Sequence, residues 1–149
     1  MHVPQKSQYA LRALFELAKH YGEGPVKVGT IAKSQDIPPK FLEAIMYELK
    51  RGGIVESRRG NEGGYYLLND PGKVTVGDIL RLTNGSFDPV PCTVDESDKR
   101  CRLHDGCVFL PMWRGVRNAV TSIYDSTTLQ GLIDDDRKNR TMDAASYDM

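Results

Sequence analysis

The sequence predicts a mainly α fold with one small β-hairpin: a helix-turn-helix unit carrying a hairpin wing, followed by a long C-terminal helix. Three observations predict it. The apolar positions Ile31, Ala32, Ile37, Leu42, Ile45, Met46, Leu49 and Ile54 are spaced as a short helix, a tight turn, a second helix and a strand. Gly60-Asn61-Glu62-Gly63-Gly64 separates residues 54–59 from Tyr65-Tyr66-Leu67-Leu68, the pattern of a hairpin with a glycine-rich tip. Finally, Met112, Val116, Ala119, Val120 and Ile123 form one apolar face, with Trp113 and Tyr124 widening it, in a stretch that lies beyond the hairpin unit.

Each element has its own justification. Ala10, Leu14, Leu17, Ala18 and Tyr21 make an amphipathic stripe over residues 7–21, with Ser7 as N-cap and Gly22-Glu23-Gly24-Pro25 as the stop. This helix reads as core support, although Gln5, Lys6 and Arg12 near its start are within reach of a phosphate. Residues 28–35 form the first helix of the motif. Asp36-Ile37-Pro38-Pro39 makes the turn, since Asp36 can bond its own downstream backbone and proline suits a first helical turn.

The second helix runs over residues 39–51 with Leu42, Ile45, Met46 and Leu49 inward. The N-terminal part of such a helix enters the DNA major groove, which singles out Pro39, Lys40, Phe41 and Glu43. Lys40 suits guanine or phosphate, Glu43 suits cytosine N4, and Phe41 or Ala44 suits a thymine methyl, although each also reads as an ordinary solvated side chain. Arg58, Arg59 and Gly60 stand at the wing tip, where glycines let two guanidinium groups approach a minor groove or phosphates. Asn69-Asp70-Pro71-Gly72 turns the chain, Thr75 and Asp78 form a capping box, and a helix with Ile79, Leu80 and Leu82 ends at Asn84-Gly85.

Residues 1–85 are therefore expected to form the DNA-binding unit. A loop of little periodicity follows over residues 86–107. Residues 108–135 supply the long helix and a last turn with Leu129, Leu132 and Ile133, capped by Ser126 or Thr127. A lone amphipathic helix must bury its stripe, either on a second copy of the chain or back on its own winged helix. The polar segment 136–149 is expected to be a disordered tail.

Composition narrows the function. The net charge is zero, but residues 1–69 hold 10 basic and 7 acidic residues while the rest hold 10 and 13, which weakly favours nucleic acid as partner of the first half. No apolar run approaches the roughly 20 residues of a membrane span, and no signal peptide opens the chain, so a cytoplasmic protein is expected. No phosphate-binding glycine loop or catalytic triad is found, and an enzyme or a simple electron carrier is a poor option because neither explains the winged helix.

Cys92, Cys101 and Cys107 fall within one short segment, at gaps wider than the roughly two to four residues of paired zinc ligands. Three thiolates on a loop suit an iron–sulfur cluster. A thiol redox switch, zinc, or plain structural cysteines remain open. Arg100, Arg102 and the following helix N-terminus would favour the ionised thiols.

The chain resembles the Rrf2 family of winged-helix transcription regulators over roughly residues 1–135. The resemblance rests on Tyr9-Ala10-Leu11-Arg12, Gly24-Pro25-Val26, Ile31-Ala32, Phe41-Leu42-Glu43, Arg59-Gly60 with Gly63-Gly64-Tyr65, Gly77-Asp78-Ile79, the cysteine loop, Trp113, and Asp125-Ser126-Thr127-Thr128-Leu129. It implies a homodimer that binds a double-stranded, palindromic operator. In cluster-binding members the three cysteines hold a [2Fe-2S] or [4Fe-4S] cluster whose state changes DNA binding, which assigns that role to Cys92, Cys101 and Cys107. The fourth-ligand positions of the IscR-like and NsrR-like branches are Leu110 and Gln8 here; His104, the one histidine of the loop, is a candidate ligand, and an exogenous ligand or a three-cysteine site is equally open. A CymR-like branch offers the alternative of a regulator controlled by complex formation with a metabolic enzyme, without a cluster.

Overall fold

The computed structural model describes residues 2–94 and 101–148. Among them are six helices, α1 (Gln5–Lys19), α2 (Val28–Gln35), α3 (Pro39–Arg51), α4 (Val76–Asn84), α5 (Leu110–Ser126) and α6 (Leu129–Tyr147), and one antiparallel hairpin, β1 (Val55–Arg58) and β2 (Gly64–Leu67). The core gathers around α1. Its Ala10, Ala13, Leu14, Leu17 and Ala18 follow helical spacing onto one face and are buried. Ile31 and Ala32 of α2, Leu42, Ile45, Met46 and Leu49 of α3, and Val55 and Leu67 of the hairpin join them.

Helix α1 begins two residues earlier than expected, with Pro4 as N-cap, so Ser7 lies inside the helix rather than before it. Its hydroxyl is fully buried and accepts a bond from the Thr83 hydroxyl at 2.9 Å, tying α1 to α4. The helix also stops at Lys19, which leaves Tyr21 outside the stripe and 44% exposed.

Between α2 and α3, Asp36 takes a left-handed conformation (φ 51°), and the Ile37 N–H donates back to the Ala32 carbonyl at 2.9 Å. Pro39 occupies the first helical position of α3, where no N–H is needed. In the hairpin Val55 pairs with Leu67 and Arg58 with Gly64. The outer edge of β2 is paired as well, because Val26 and Tyr65 exchange two 2.8 Å backbone bonds. Gly64 (φ 151°) allows this close approach, since a Cβ there would strike the Val26 carbonyl.

The Thr75–Asp78 capping box forms with both reciprocal bonds at 3.0 Å. The chain returns to this strut after α5. Val76 N–H donates to the Thr127 carbonyl at 2.8 Å and Leu129 N–H to the Val74 carbonyl at 3.0 Å. Thr128, not Ser126 or Thr127, caps α6 by accepting from the Gly131 N–H at 3.0 Å. The hydroxyls of Ser126 and Thr127 instead donate back to the Ile123 carbonyl and close α5.

Leu129 and Ile133 then bury themselves in the α1 core. The expected disordered tail is helical instead: α6 continues to Tyr147. Beyond Ile133 no described residue of α6 is buried, and i,i+4 pairs of Gln130 with Asp134 and Arg140 with Asp136 line its length. The helix is nucleated by its docked first turn, the costly step that an isolated polar segment lacks.

Candidate nucleic-acid interface and cysteine loop

Helix α3 presents Lys40, Phe41, Glu43 and Tyr47 to solvent, with Pro39 exposed at its start and Phe41 63% exposed. The Phe41 ring thus stands in water at the start of a helix whose opposite face, Leu42, Ile45, Met46 and Leu49, is buried. The wing stands beside it. Lys50 near the end of α3 bridges to β1 through Glu56 at 3.2 Å and Ser57 at 2.6 Å, so hairpin and helix are pinned together. The Ser57 N–H and Lys50 hold the Glu56 carboxyl below its usual range.

Arg58 lies over the Tyr66 ring at 5.6 Å, while Arg59 and Gly60 (φ 107°) are exposed at the tip. Lys6 reaches across from α1 to Glu48 of α3 at 3.2 Å, over an apolar cavity of about 430 Å³ lined by Tyr9, Phe41, Ala44 and Ile45. Arg12 is committed elsewhere: it donates to the Gln35 carbonyl at the end of α2 and lies over the Tyr9 ring. Lys27, Gly29, Thr30, Lys33 and Ser34, none of them among the residues expected to touch DNA, line an open basic groove at the α2 N-terminus. The signal was available in the pairing of two lysines with the start of that helix.

The cysteine loop is partly fastened. Cys92 is half-buried in a short 3-10 turn over Pro91–Thr93, and the neighbouring Thr93 is 1% exposed. Arg117 of α5 donates to the Thr93 carbonyl at 2.7 Å, so the turn carrying Cys92 is held against the middle of α5. Cys107 is half-buried at the end of a second such turn, His104–Gly106, and Cys101 is exposed. All three thiols are free. The His104 side chain is 10% exposed, and its Nε2 is buried without a hydrogen-bond partner. Arg102 is exposed, while Arg100, the other cation expected near the thiols, lies outside the described residues.

Three thiols and an orphaned imidazole nitrogen within one loop are the donor chemistry that an iron–sulfur cluster needs. They are not gathered, however: among the described residues no group of three His, Cys, Asp or Glu side chains is placed to hold a metal ion. The donor set fits, and the loop would have to close to use it.

Helix α5 follows directly, with Leu110 its one buried residue; Trp113, Val116, Val120 and Tyr124 are half-buried, while Met112 is 49% and Ile123 63% exposed, so the expected apolar stripe is only partly covered within the described chain. Its C-terminal end is locked to α4. Arg81 bonds Asp125 at 2.7 Å and lies over the Phe87 ring at 5.0 Å, and Phe87 meets Tyr124 edge-on at 5.3 Å. The pair raises the Arg81 pKa and lowers that of Asp125.

The model of the Rrf2 family, described as iron-dependent transcriptional regulator, matches residues 3–135. The chain belongs to the Rrf2 family. This Rrf2 chain is 36% identical over 132 residues to the transcriptional regulator CymR of Bacillus subtilis, covering 89% of each protein. It is 32% identical over 133 residues to IscR of Xenorhabdus nematophila, covering 89% of this chain and 79% of that protein. Among solved structures it superposes on CymR, the global cysteine regulator of B. subtilis, with a TM-score of 0.73 at 35% identity, covering 89% of this chain and 95% of that one. It matches T. potens IscR equally well, at 0.73 and 33% identity, covering 91% and 88%. This Rrf2 protein is accordingly a DNA-binding transcription regulator with the winged-helix fold. Its described helices include none long and apolar enough to cross a membrane.

Proposed function

We propose that this regulator works as a homodimer that binds a palindromic operator and reports iron–sulfur, nitric oxide or redox status through residues 86–107. The observation that carries the reading is the Arg117–Thr93 bond, because it joins the turn holding Cys92 to α5. Residues 1–85 are the DNA-binding unit. Pro39, Lys40, Phe41 and Glu43 enter the major groove, and Arg58, Arg59, Gly60 and Lys6 meet the backbone or minor groove.

Helix α5 pairs with its counterpart through the exposed Met112 and Ile123 of its stripe, and the twofold axis sets the spacing of the two recognition helices. Cys92, Cys101 and Cys107, with His104 as fourth ligand, would hold the cluster, which when bound supplies redox-active, nitric-oxide-reactive iron. Closing the loop draws the Cys92 turn and, through Arg117, α5. The Arg81–Asp125 lock passes that movement to α4 and the winged helix. Small shifts matter because half-site spacing leaves a dimer little freedom.

The test is an absorption spectrum with iron and sulfide analysis on anaerobically purified protein and on Cys92→Ala. Visible bands with stoichiometric iron and sulfide, lost in the variant, are expected, together with unequal operator affinities of cluster-bound and apo protein at matched salt. A colourless protein, or equal affinities, overturns the cluster reading. The ungathered thiols favour a second reading in that event: a cluster-free regulator controlled by complex formation with a metabolic enzyme.

A further inference from the structure

Helix α2 has one face without an assigned role. Ile31 and Ala32 turn inward, while Lys27, Gly29, Thr30, Lys33 and Ser34 stay exposed along an open groove. The helix contains no acidic residue. Among the described residues, no hydrogen bond or ion pair engages the side chains of Lys27, Thr30, Lys33 or Ser34. Two cations and two hydroxyls therefore stand on one face unclaimed within the described chain. Neighbouring lysines of the reading head are occupied by contrast: Lys6 pairs with Glu48, and Lys50 with Glu56.

This face is continuous with the wing. The Val26–Tyr65 bridge sets the segment before α2 beside β2, on the side away from β1. In that pairing Lys27 falls next to Gly64, where a Cβ would lie 2.9 Å from the Lys27 nitrogen, and Gly64 in turn pairs with Arg58. Lys27, Gly64 and Arg58 thus form one row across a ribbon of three chain segments, and the exposed Arg59 follows. With neighbouring strands about 4.8 Å apart, the row spaces its two cations about 10 Å from each other. Lys33 extends the line by about 9 Å along α2, at about 1.5 Å per residue.

Charge and continuity select the partner. Duplex DNA carries a negative charge about every 1.7 Å of its axis, so a span of this length faces several phosphates. Lysine ammonium and serine or threonine hydroxyls are common donors to phosphate oxygens, and the first helix of a helix-turn-helix crosses the backbone while the second enters the groove. We infer that the α2 face of Lys27, Thr30, Lys33 and Ser34 is a further DNA-contact surface, which grips backbone phosphates beside those met by the wing. Phosphate contacts carry no sequence information, so this surface adds affinity without base preference. The inference rests on the proposed operator binding and is independent of the cysteine loop.

The experiment uses the full-length protein, an operator duplex that it selects from a random-sequence pool, and a scrambled duplex of the same length. Fluorescence anisotropy over a salt series is read on both duplexes for the parent, Lys27→Gln, Lys33→Gln and Lys138→Gln, the last altering an exposed lysine of α6. Each α2 variant should melt with the parent, weaken both duplexes by the same factor, and lower the slope of log K against log salt by about 0.9 per protomer, about 1.8 for a dimer. Lys138→Gln should keep the parent slope. The inference is overturned if folded Lys27→Gln and Lys33→Gln keep that slope, or if Lys138→Gln lowers it as much. It is overturned equally if the operator loses more affinity than the scrambled duplex, because the lysines would then read bases. A parent that binds both duplexes alike refutes operator recognition instead, while the lysine variants still report on the phosphate contact; a parent that binds neither overturns both.

Discussion

Arg59 is the residue whose loss isolates DNA contact from folding. It is exposed at the wing tip, and no hydrogen bond, ion pair or ring contact engages it among the described residues. Lys6 is paired with Glu48 and Arg58 lies over Tyr66, so removing either of those disturbs a neighbour as well. Arg59→Ala should therefore leave thermal stability within about 0.5 kcal/mol of the parent. If Arg59 neutralises one phosphate, each wing contributes about 0.9 to the slope of log K against log salt, and a twofold dimer loses about 1.8 from that slope. Over a fourfold rise in salt, from about 50 to about 200 mM, a slope change of 1.8 amounts to about a twelvefold difference between parent and variant. Fluorescence anisotropy on an operator fragment across that range measures it. A variant with reduced affinity but a parallel salt plot would show that Arg59 reads DNA without neutralising phosphate, and unchanged affinity would remove the wing tip from the interface.

Three further outcomes follow from the packing. Leu129→Ala removes a fully buried side chain that seats α6 on α1 and should cost about 3 kcal/mol, lowering the melting midpoint by about 6–12 °C in a calorimetric scan. Glu16 is 6% exposed at the side chain. Burial opposes its ionisation, but bonds from Gln35, Lys19 and His20 outweigh it and hold its carboxyl below the ordinary value of 4.5. A group that is more acidic folded than unfolded adds stability above the ordinary value and loses it as the pH falls through the folded one. Glu16→Gln should thus cost about 1.5–3 kcal/mol at pH 7, a gap that denaturant titrations should find shrinking below about pH 4.5. Finally, a Cβ at Gly77 would meet the Asp125 carboxylate and an Arg81 nitrogen, both ends of movable side chains. Gly77→Ala should leave the protein folded but break the Arg81–Asp125 lock, and the operator affinity should then cease to depend on the state of the cysteine loop. An unchanged dependence would place the coupling elsewhere.

Periodicity and punctuation in the chain determined a great deal by themselves. The bounds of α2 and α3, the hairpin with its glycine tip, the Thr75–Asp78 box and the apolar stripe of α5 are local matters, because helical spacing, turn glycines and caps act within a few residues. The candidate DNA-contact residues were legible for the same reason, as positions left over once the inward face of α3 is assigned. Other features depended on neighbours distant in sequence. Ser7 reads as a cap but is claimed by Thr83, seventy-six positions away. Thr128 caps α6 because the strut at Val74 and Val76 takes the backbone on either side of it. The segment after Asp134 reads as disordered, yet it continues a helix whose first turn is paid for by Leu129 and Ile133 in the α1 core. The row of Lys27, Gly64 and Arg58 exists only where the segment before α2 joins β2. Short-range preferences choose which elements form; which side chains end up buried, paired or left unpaired is decided by the surfaces those elements bring together.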